Sequence, residues 1–161
     1  MAVDIFLKLG DVDGESKDEK HKKWIDVLAW SWGLSQAGSF QYGGGGGSGK
    51  ANFQDLSITK YIDMSSPPIM MNGASGKHFP DAELVVRKAG GKKPLDYLVV
   101  KLTDVIITSY STGGSGGEDR LTETISLGFA KVKLKYTEQT EAGGEGAKPE
   151  FAWDIQANVA L

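Results

Sequence analysis

Trp24-Ile-Asp-Val-Leu-Ala-Trp-Ser-Trp-Gly-Leu-Ser-Gln-Ala-Gly-Ser-Phe-Gln-Tyr42 carries three of the four tryptophans of the chain and alternates with the period of a β-strand. One face of this strand holds the large side chains Trp24, Leu28, Trp30, Trp32 and Leu34. Because buried aromatic side chains contribute a large apolar area, we expect this face to fill a core. The run is far longer than an ordinary strand of about five or six residues, so Gly33 and Gly38 are expected to bend it.

The opposite face of the same strand becomes smaller along the chain. It holds Ile25, Val27, Ala29, Ser31 and Gly33. Three interpretations are open for such a face: solvent, a tight contact between two sheets, or the surface of a partner. Alternation defines two faces but does not say what either of them meets.

The composition is that of an ordinary globular protein, with 40% hydrophobic and 24% charged residues. A chain of 161 residues favours one domain over residues 1–161. The net charge of −3 offers no basic footprint for nucleic acid. We expect no signal peptide and no membrane insertion, because no basic and apolar leader and no apolar run of roughly 20 residues is present.

Strand patterns dominate the rest of the chain. They cover residues 3–9, 51–60, 82–88, 95–110, 121–136 and 150–156. In the 121–136 strand the apolar residues change from odd to even positions at Gly128, which predicts a β-bulge there. One helix is expected between residues 61 and 76, capped by Ser65 or Ser66, with Pro67 in its first turn and Gly73 or Gly76 at its end.

These elements predict a mainly β fold, a small antiparallel β-barrel of two packed sheets with one short flanking α-helix and an extended glycine-rich loop. The loop consists of Gly43, Gly44, Gly45, Gly46, Gly47, Ser48, Gly49 and Lys50. It matches most of a phosphate-binding P-loop, but Ala51 stands where that chemistry needs Ser or Thr, and no helical stripe follows. We therefore interpret it as an extension that becomes ordered only against a neighbour.

No residue pattern indicates an enzyme, a metal site or another cofactor. The chain has no cysteine and only two histidines, and their positions do not have metal-ligand spacing. His21 lies in the charged segment 10–23, which is expected to be a hydrated loop, and His78 precedes a strand. From the residues alone, a monomeric β-barrel that binds a small ligand is the leading function.

The chain also resembles the haemolysin-coregulated protein (Hcp) family over nearly its whole length. The similar segments are Gly10-Asp-Val-Asp-Gly-Glu-Ser16, Ile25-Asp-Val-Leu-Ala-Trp-Ser-Trp-Gly33, Asp55-Leu-Ser-Ile-Thr-Lys-Tyr-Ile-Asp63, Ser75-Gly-Lys-His-Phe79, Val86-Arg-Lys-Ala-Gly90 and Ser111-Thr-Gly-Gly-Ser-Gly-Gly-Glu-Asp-Arg-Leu-Thr-Glu123. The resemblance implies a structural, non-enzymatic subunit of the inner tube of the bacterial type VI secretion system. The Hcp family is also related in fold to phage tail-tube proteins, so the resemblance implies that fold as well.

The resemblance further implies hexameric rings that stack into a tube, carry effector proteins in their lumen and meet a tip spike protein and a contractile sheath. Such a protein assembles in the bacterial cytoplasm and is then secreted without a signal peptide. Under this hypothesis the small face of the tryptophan strand is a lumen wall, with Ala29 and Ser31 facing the effector. The loop at residues 43–50 is expected to contact a neighbouring subunit or ring.

Overall fold

The computed structural model of the protein describes residues 3–38, 50–88 and 94–161. Their strands and helix are β1 (Val3–Leu9), β2 (Ile25–Asp26), β3 (Ala29–Ser31), β4 (Leu34–Ser35), β5 (Asn52–Phe53), β6 (Leu56–Tyr61), α1 (Ser66–Ser75), β7 (His78–Lys88), β8 (Leu95–Gly113), β9 (Thr122–Tyr136), β10 (Glu150–Asp154) and β11 (Val159–Ala160). The predicted mainly β class with one short helix is confirmed for these residues. Within these residues, no helix is long and apolar enough to cross a membrane.

A nine-stranded antiparallel sheet wraps around the core, and β4 and β5 form a separate two-stranded sheet. The main path is β11-β10-β9-β8-β7-β1-β2, and β6 branches from β9 and carries β3. Val27 and Leu28 join β2 to β3, and their amides donate to the carbonyls of Ile5 (3.0 Å) and Thr59 (2.8 Å). The short segment from β2 to β3 therefore pairs with β1 at its start and with β6 at its end.

The tryptophan stretch is not one long strand, and its predicted inner face is wrong in part. Ile25 and Val27 are buried, whereas Leu28 and Leu34 are 46% and 52% exposed. The tryptophans at positions 30 and 32 are half-buried and pack against the core. The reason is a change of partner: β2 pairs with β1, β3 pairs with β6, and the inward face changes from odd to even positions between them.

The change of inward face in β9 is confirmed, but the bulge predicted at Gly128 is wrong, because the register shift nearest to it lies in the neighbouring strand. Odd positions of β9 are buried before Gly128 and an even position, Val132, is buried after it. In β8, Thr108 is an extra residue between Ile107 and Ser109, which pair with successive residues of β9. A Cβ atom at Gly128 would lie 3.0 Å from the Thr108 Cγ2, so the bulge leaves little room for a larger residue there.

Helix α1 begins and ends as predicted. Ser65 is its N-cap residue, two prolines follow Ser66 in its first turn, and Gly76 ends it in the left-handed region at φ 69°. Gly73 is inside the helix, where a Cβ would lie 3.4 Å from Ile107 of β8. Ile69 is fully buried, and such burial contributes about 1.5–3 kcal/mol, which fixes the helix to the sheet.

The segment 10–24 is folded against the sheet and is not the hydrated loop expected from its charges. Its backbone is closed by bonds such as that from the Gly14 amide to the Lys23 carbonyl (2.7 Å). His21 is buried, stacks on Phe6 with ring centroids 4.6 Å apart, and lies 2.9 Å from the Asp18 carboxylate through its Nδ1. His21 and Asp18 of this segment thus have partners within the fold that the sequence pattern did not reveal.

Arg87 of β7 holds this segment in place through Asp18. Its Nη1 and Nη2 donate to the two oxygens of that carboxylate at 3.0 and 2.8 Å, and Nη2 also donates to Asp4 at 3.1 Å. The hydrogen bond from Arg87, aided by that of His21, holds the pKa of Asp18 well below its usual value of 3.8. The ionised form of Asp18 is therefore the one that stabilises the fold.

We predict that Asp18→Asn lowers the free energy of unfolding by about 1–2 kcal/mol at pH 6, because hydrogen bonds to charged groups contribute about 1.5–3 kcal/mol before solvent screening. A lowered pKa stabilises the folded state fully above the unfolded value of 3.8, and this contribution is lost as the pH falls below it. The difference between wild type and variant in urea denaturation should therefore shrink from pH 6 to pH 3. Asp11→Asn, at a largely exposed carboxylate, is the control, and a difference that does not depend on pH would contradict the prediction.

Candidate functional site

The outward face of four adjacent strands is lined by small, uncharged side chains. Two cross-strand rows run over β3, β6, β9 and β8, and they are Ser31-Ser57-Ser126-Ser109 and Ala29-Thr59-Thr124-Ser111. We call these eight residues the hydroxyl face. Seven of the eight carry a hydroxyl group and none carries a charge, so this surface offers many weak hydrogen-bonding groups and no strong anchor.

Alternation along each strand creates the hydroxyl face. In β6, Ile58 is fully buried between Ser57 and Thr59, and in β9 the buried Ile125 separates Thr124 from Ser126 in the same way. In β8 the extra residue Thr108 shifts the register, so that Ser109 and Ser111 both lie on the hydroxyl face. Bulge and alternation together therefore keep the two rows in register.

A buried ion pair supports the hydroxyl face from beneath. Lys60 of β6 and Glu123 of β9 are directly paired across the ladder, both are almost fully buried, and their charged groups are in contact. The Lys60 ammonium also donates to Asp63 (3.0 Å) and to the Tyr61 carbonyl (2.9 Å), which satisfies its remaining hydrogens. Burial without these partners would be unfavourable by several kcal/mol.

Glu123 also connects the sheet to helix α1 and to β8. Its Oε1 accepts a hydrogen bond from the Ser66 hydroxyl of the helix (2.7 Å), and its Oε2 accepts one from the Tyr110 hydroxyl. Burial, with a smaller contribution from the Glu123 carboxylate, raises the pKa of Tyr110 to about 12. Tyr110 is therefore a neutral hydrogen-bond donor at physiological pH, and its hydroxyl completes the hydrogen bonds of the Glu123 carboxylate.

A pocket with an acidic lining lies at one end of the hydroxyl face. This Asp26 pocket, of about 420 Å³, is lined by Glu15, Asp26, Val27, Leu28, Tyr61, Asp63 and Arg120. The Arg120 guanidinium carbon lies over the Tyr61 ring, 3.8 Å from its centroid. Burial, followed by repulsion from Asp63, Asp4 and Glu15, raises the pKa of Asp26. The pocket therefore carries more negative charge than its single arginine balances.

The opposite end of the hydroxyl face carries a lysine. A second pocket, of about 370 Å³, is lined by Lys50, Ala51, Asn52, Phe53, Gln54, Asp55, Phe129 and Ile155. Lys50 is exposed there, and Asp55 accepts a hydrogen bond from Thr108 at 2.7 Å. Among the residues that the structure describes, no three or more His, Cys, Asp or Glu side chains are arranged so that they could hold a metal ion.

Both lumen residues expected from the sequence, Ala29 and Ser31, are exposed members of the hydroxyl face. Sequence reasoning missed the other six, although each alternates with apolar or buried residues in its own strand. The cross-strand register that unites them was not readable from the sequence. Of the expected contact loop, residues 43–49 lie outside the described part of the chain, and only Lys50 is placed.

Comparison with known proteins identifies the family. The profile described as "Type VI secretion system effector, Hcp" matches residues 6–136. The chain is 57% identical to "Protein hcp1" of Pseudomonas aeruginosa strain PAO1 over 160 residues, which is 99% of each chain. The chain belongs to the Hcp family. Hcp proteins are tube proteins of the type VI secretion system and form tube-like assemblies, and the comparisons do not support the small-ligand alternative.

Solved structures of other Hcp-family proteins have the same fold. A type six secretion system protein superposes with a TM-score of 0.92 at 36% identity, covering 99% of this chain and 100% of that one. Hcp1 from Salmonella typhimurium superposes with a TM-score of 0.83 at 41% identity, covering 100% of both chains. The Hcp family consists of structural tube proteins that are secreted.

We predict that Lys60→Met lowers the free energy of unfolding by about 3–5 kcal/mol, because it leaves the buried Glu123 carboxylate without its cation. The control is Lys133→Met, which removes the half-exposed Lys133–Glu150 ion pair (3.4 Å). This substitution should lower the free energy of unfolding by less than about 1 kcal/mol. Urea denaturation of both variants measures the difference. Equal destabilisation by the two substitutions would contradict the assigned role of the buried pair.

Proposed function

We propose that copies of this chain form hexameric rings that stack into the inner tube of a type VI secretion system, with the hydroxyl face lining the lumen. The observation that carries the proposal is that neither row of the hydroxyl face, across β3, β6, β9 and β8, contains a charged residue. An ordinary solvated sheet face carries charged side chains, and this one has none over eight positions.

The other outward sheet face of the same molecule provides the contrast. Across β7 to β10 it carries Glu83, Lys101, Lys131, Lys133, Lys135, Glu150 and Asp154, in part as ion pairs such as Lys131–Asp154 (4.0 Å). A charged wall would hold cargo of opposite charge and repel cargo of like charge. The uncharged face suits passage of different effectors, and the charged face suits the tube exterior, towards the sheath.

Ala29 and Ser31 are the proposed effector-facing residues within this lumen. They lie on β3, which has β6 on one side, and both are exposed in the single chain. The glycine-rich segment that ends at Lys50 is proposed to contact a neighbouring subunit or ring. Assembly in the bacterial cytoplasm, contacts with the tip spike protein and the sheath, and export with effectors complete the proposal.

Electron microscopy of the purified protein tests the assembly. We expect six-fold rings with an open centre, and stacks of rings at high protein concentration, because a head-to-tail interface with a closing rotation generates a ring. Sedimentation velocity on the same sample measures the mass in solution. A strict monomer at high concentration would overturn the proposal.

The lumen assignment is tested by Ser31→Arg. We expect rings like those of the wild type but binding of a lumen-borne effector weakened at least tenfold, because a long charged side chain narrows and charges the wall. The control is Thr103→Arg, an exposed position on the charged face of β8. Loss of the ring in Ser31→Arg would show that Ser31 is a packing position, and unchanged effector binding would show that it does not face the lumen.

A further inference from the structure

The two pockets described above lie at opposite ends of the hydroxyl face. Strand β6 begins directly after residues 50–55 of the Lys50 pocket and ends at Tyr61, which lines the Asp26 pocket. At about 3.3 Å per residue, its six residues separate the two ends by roughly 20 Å. Strand β9 shows the same arrangement, because Arg120 precedes it at one end and Phe129 lines the pocket at the other. Each end of the hydroxyl face therefore has its own chemistry.

Exposed apolar side chains surround the Asp26 pocket. Leu28 lies in its lining, and Ile62, Met64 and Leu121 each adjoin a lining residue; all four are more than a third exposed. The Ile62 amide donates to the Leu121 carbonyl at 2.9 Å, which places these two side chains on neighbouring segments. An exposed apolar patch around charged groups is typical of a protein interface rather than of a surface facing water.

The charge of the pocket specifies what should enter it. Glu15, Asp26 and Asp63 supply three carboxylates against Arg120. Asp63 already accepts from Lys60, and Glu15 accepts from the Met64 amide at 2.9 Å. Asp26 has no comparable donor among the hydrogen bonds of the described residues, and burial together with repulsion from the neighbouring carboxylates, only partly offset by Arg120, disfavours its charge. A cation from outside the subunit would relieve this repulsion.

We propose that the Asp26 pocket of one copy receives Lys50 of the next copy along the tube. This inference rests on the proposed function, since it needs copies that stack. If the hydroxyl face continues from copy to copy, the end that carries the Asp26 pocket meets the end that carries Lys50. The contact is head-to-tail, joins opposite charges, and brings the apolar rim of one pocket near Phe53, Phe129 and Ile155 of the other.

Lys131 and Lys133 fit this position less well than Lys50 does. Lys131 and Lys133 already pair with Asp154 and Glu150 of their own chain. They also lie on the charged sheet face and not beside the hydroxyl face. Lys50 is exposed at the end of that wall, where continuity requires a partner.

A charge-swap series tests the pairing. Asp26→Lys and Lys50→Glu should each weaken association of the purified protein at least tenfold, measured by sedimentation velocity, and the double variant should recover most of this loss. Circular dichroism checks folding, and Asp26→Asn is the milder variant if Asp26→Lys does not fold. The charge-reversal control is Lys101→Glu, on the opposite sheet face. Wild-type association in all variants, or loss that the double variant does not recover, would overturn the inference.

Cross-linking provides a second measurement that keeps both charges, and it uses the absence of native cysteine from the chain. Leu28→Cys and Ala51→Cys place one thiol beside each pocket. A mixture of the two variants treated with bismaleimidoethane should give a covalent dimer, whereas Thr103→Cys mixed with Ala51→Cys should not. If the wild type forms rings but the two cysteine variants give no cross-linked dimer, only the inference is overturned. If the wild type stays monomeric, the proposed function is overturned as well.

Discussion

Strand β9 is the element on which the rest of the fold depends, because both of its edges are occupied. One edge pairs with β8 over almost its whole length, and the other is shared by β6 and β10. The division falls near Gly128, where the buried face of the strand changes from odd to even positions. A single strand thereby joins the hydroxyl face to the charged face, and β8 follows the change opposite it, where its buried positions pass from Leu102 to Val105.

The buried Lys60–Glu123 pair connects this strand to the helix. Such pairs do not stabilise a fold more than apolar residues of the same volume would, but leaving one partner alone is strongly unfavourable. The pair therefore favours one arrangement of helix and sheet, since Ser66, Tyr110 and Asp63 must all be in place to complete its hydrogen bonds. The position of α1 is consequently tied to the strands that carry the hydroxyl face.

The sequence predicted the fold class, the single helix and its caps, and most strand positions. These features depend on local signals, such as the two prolines and Gly76 at the ends of α1. It did not predict where the tryptophan stretch changes partner, because alternation continues to look regular while Val27 and Leu28 carry the chain from β1 to β6. Hydrogen bonding to a distant strand decides that point, and a local pattern holds no information on it.

The same limit explains what was predicted of the site. Ser31 could be selected because its own strand alternates between large and small residues, whereas Ser109 and Ser126 become its neighbours only through the register of three ladders. His21 likewise looked solvated until the fold placed it between Phe6 and Asp18. Charge in a sequence indicates a need for partners, and the tertiary structure decides whether water or another side chain supplies them.

The distribution of charge over the hydroxyl face and its two ends has a consequence for assembly. A lumen wall made of hydroxyl groups contributes little to binding between copies, because each such group exchanges one hydrogen bond with water for another. Specific contact must then come from the ends, where carboxylates and apolar side chains lie at one side and Lys50 at the other. Carboxylates outnumber the one arginine at the Asp26 end, so contact between two such ends is disfavoured by repulsion, and the same groups that attract Lys50 of the next copy also favour a head-to-tail orientation.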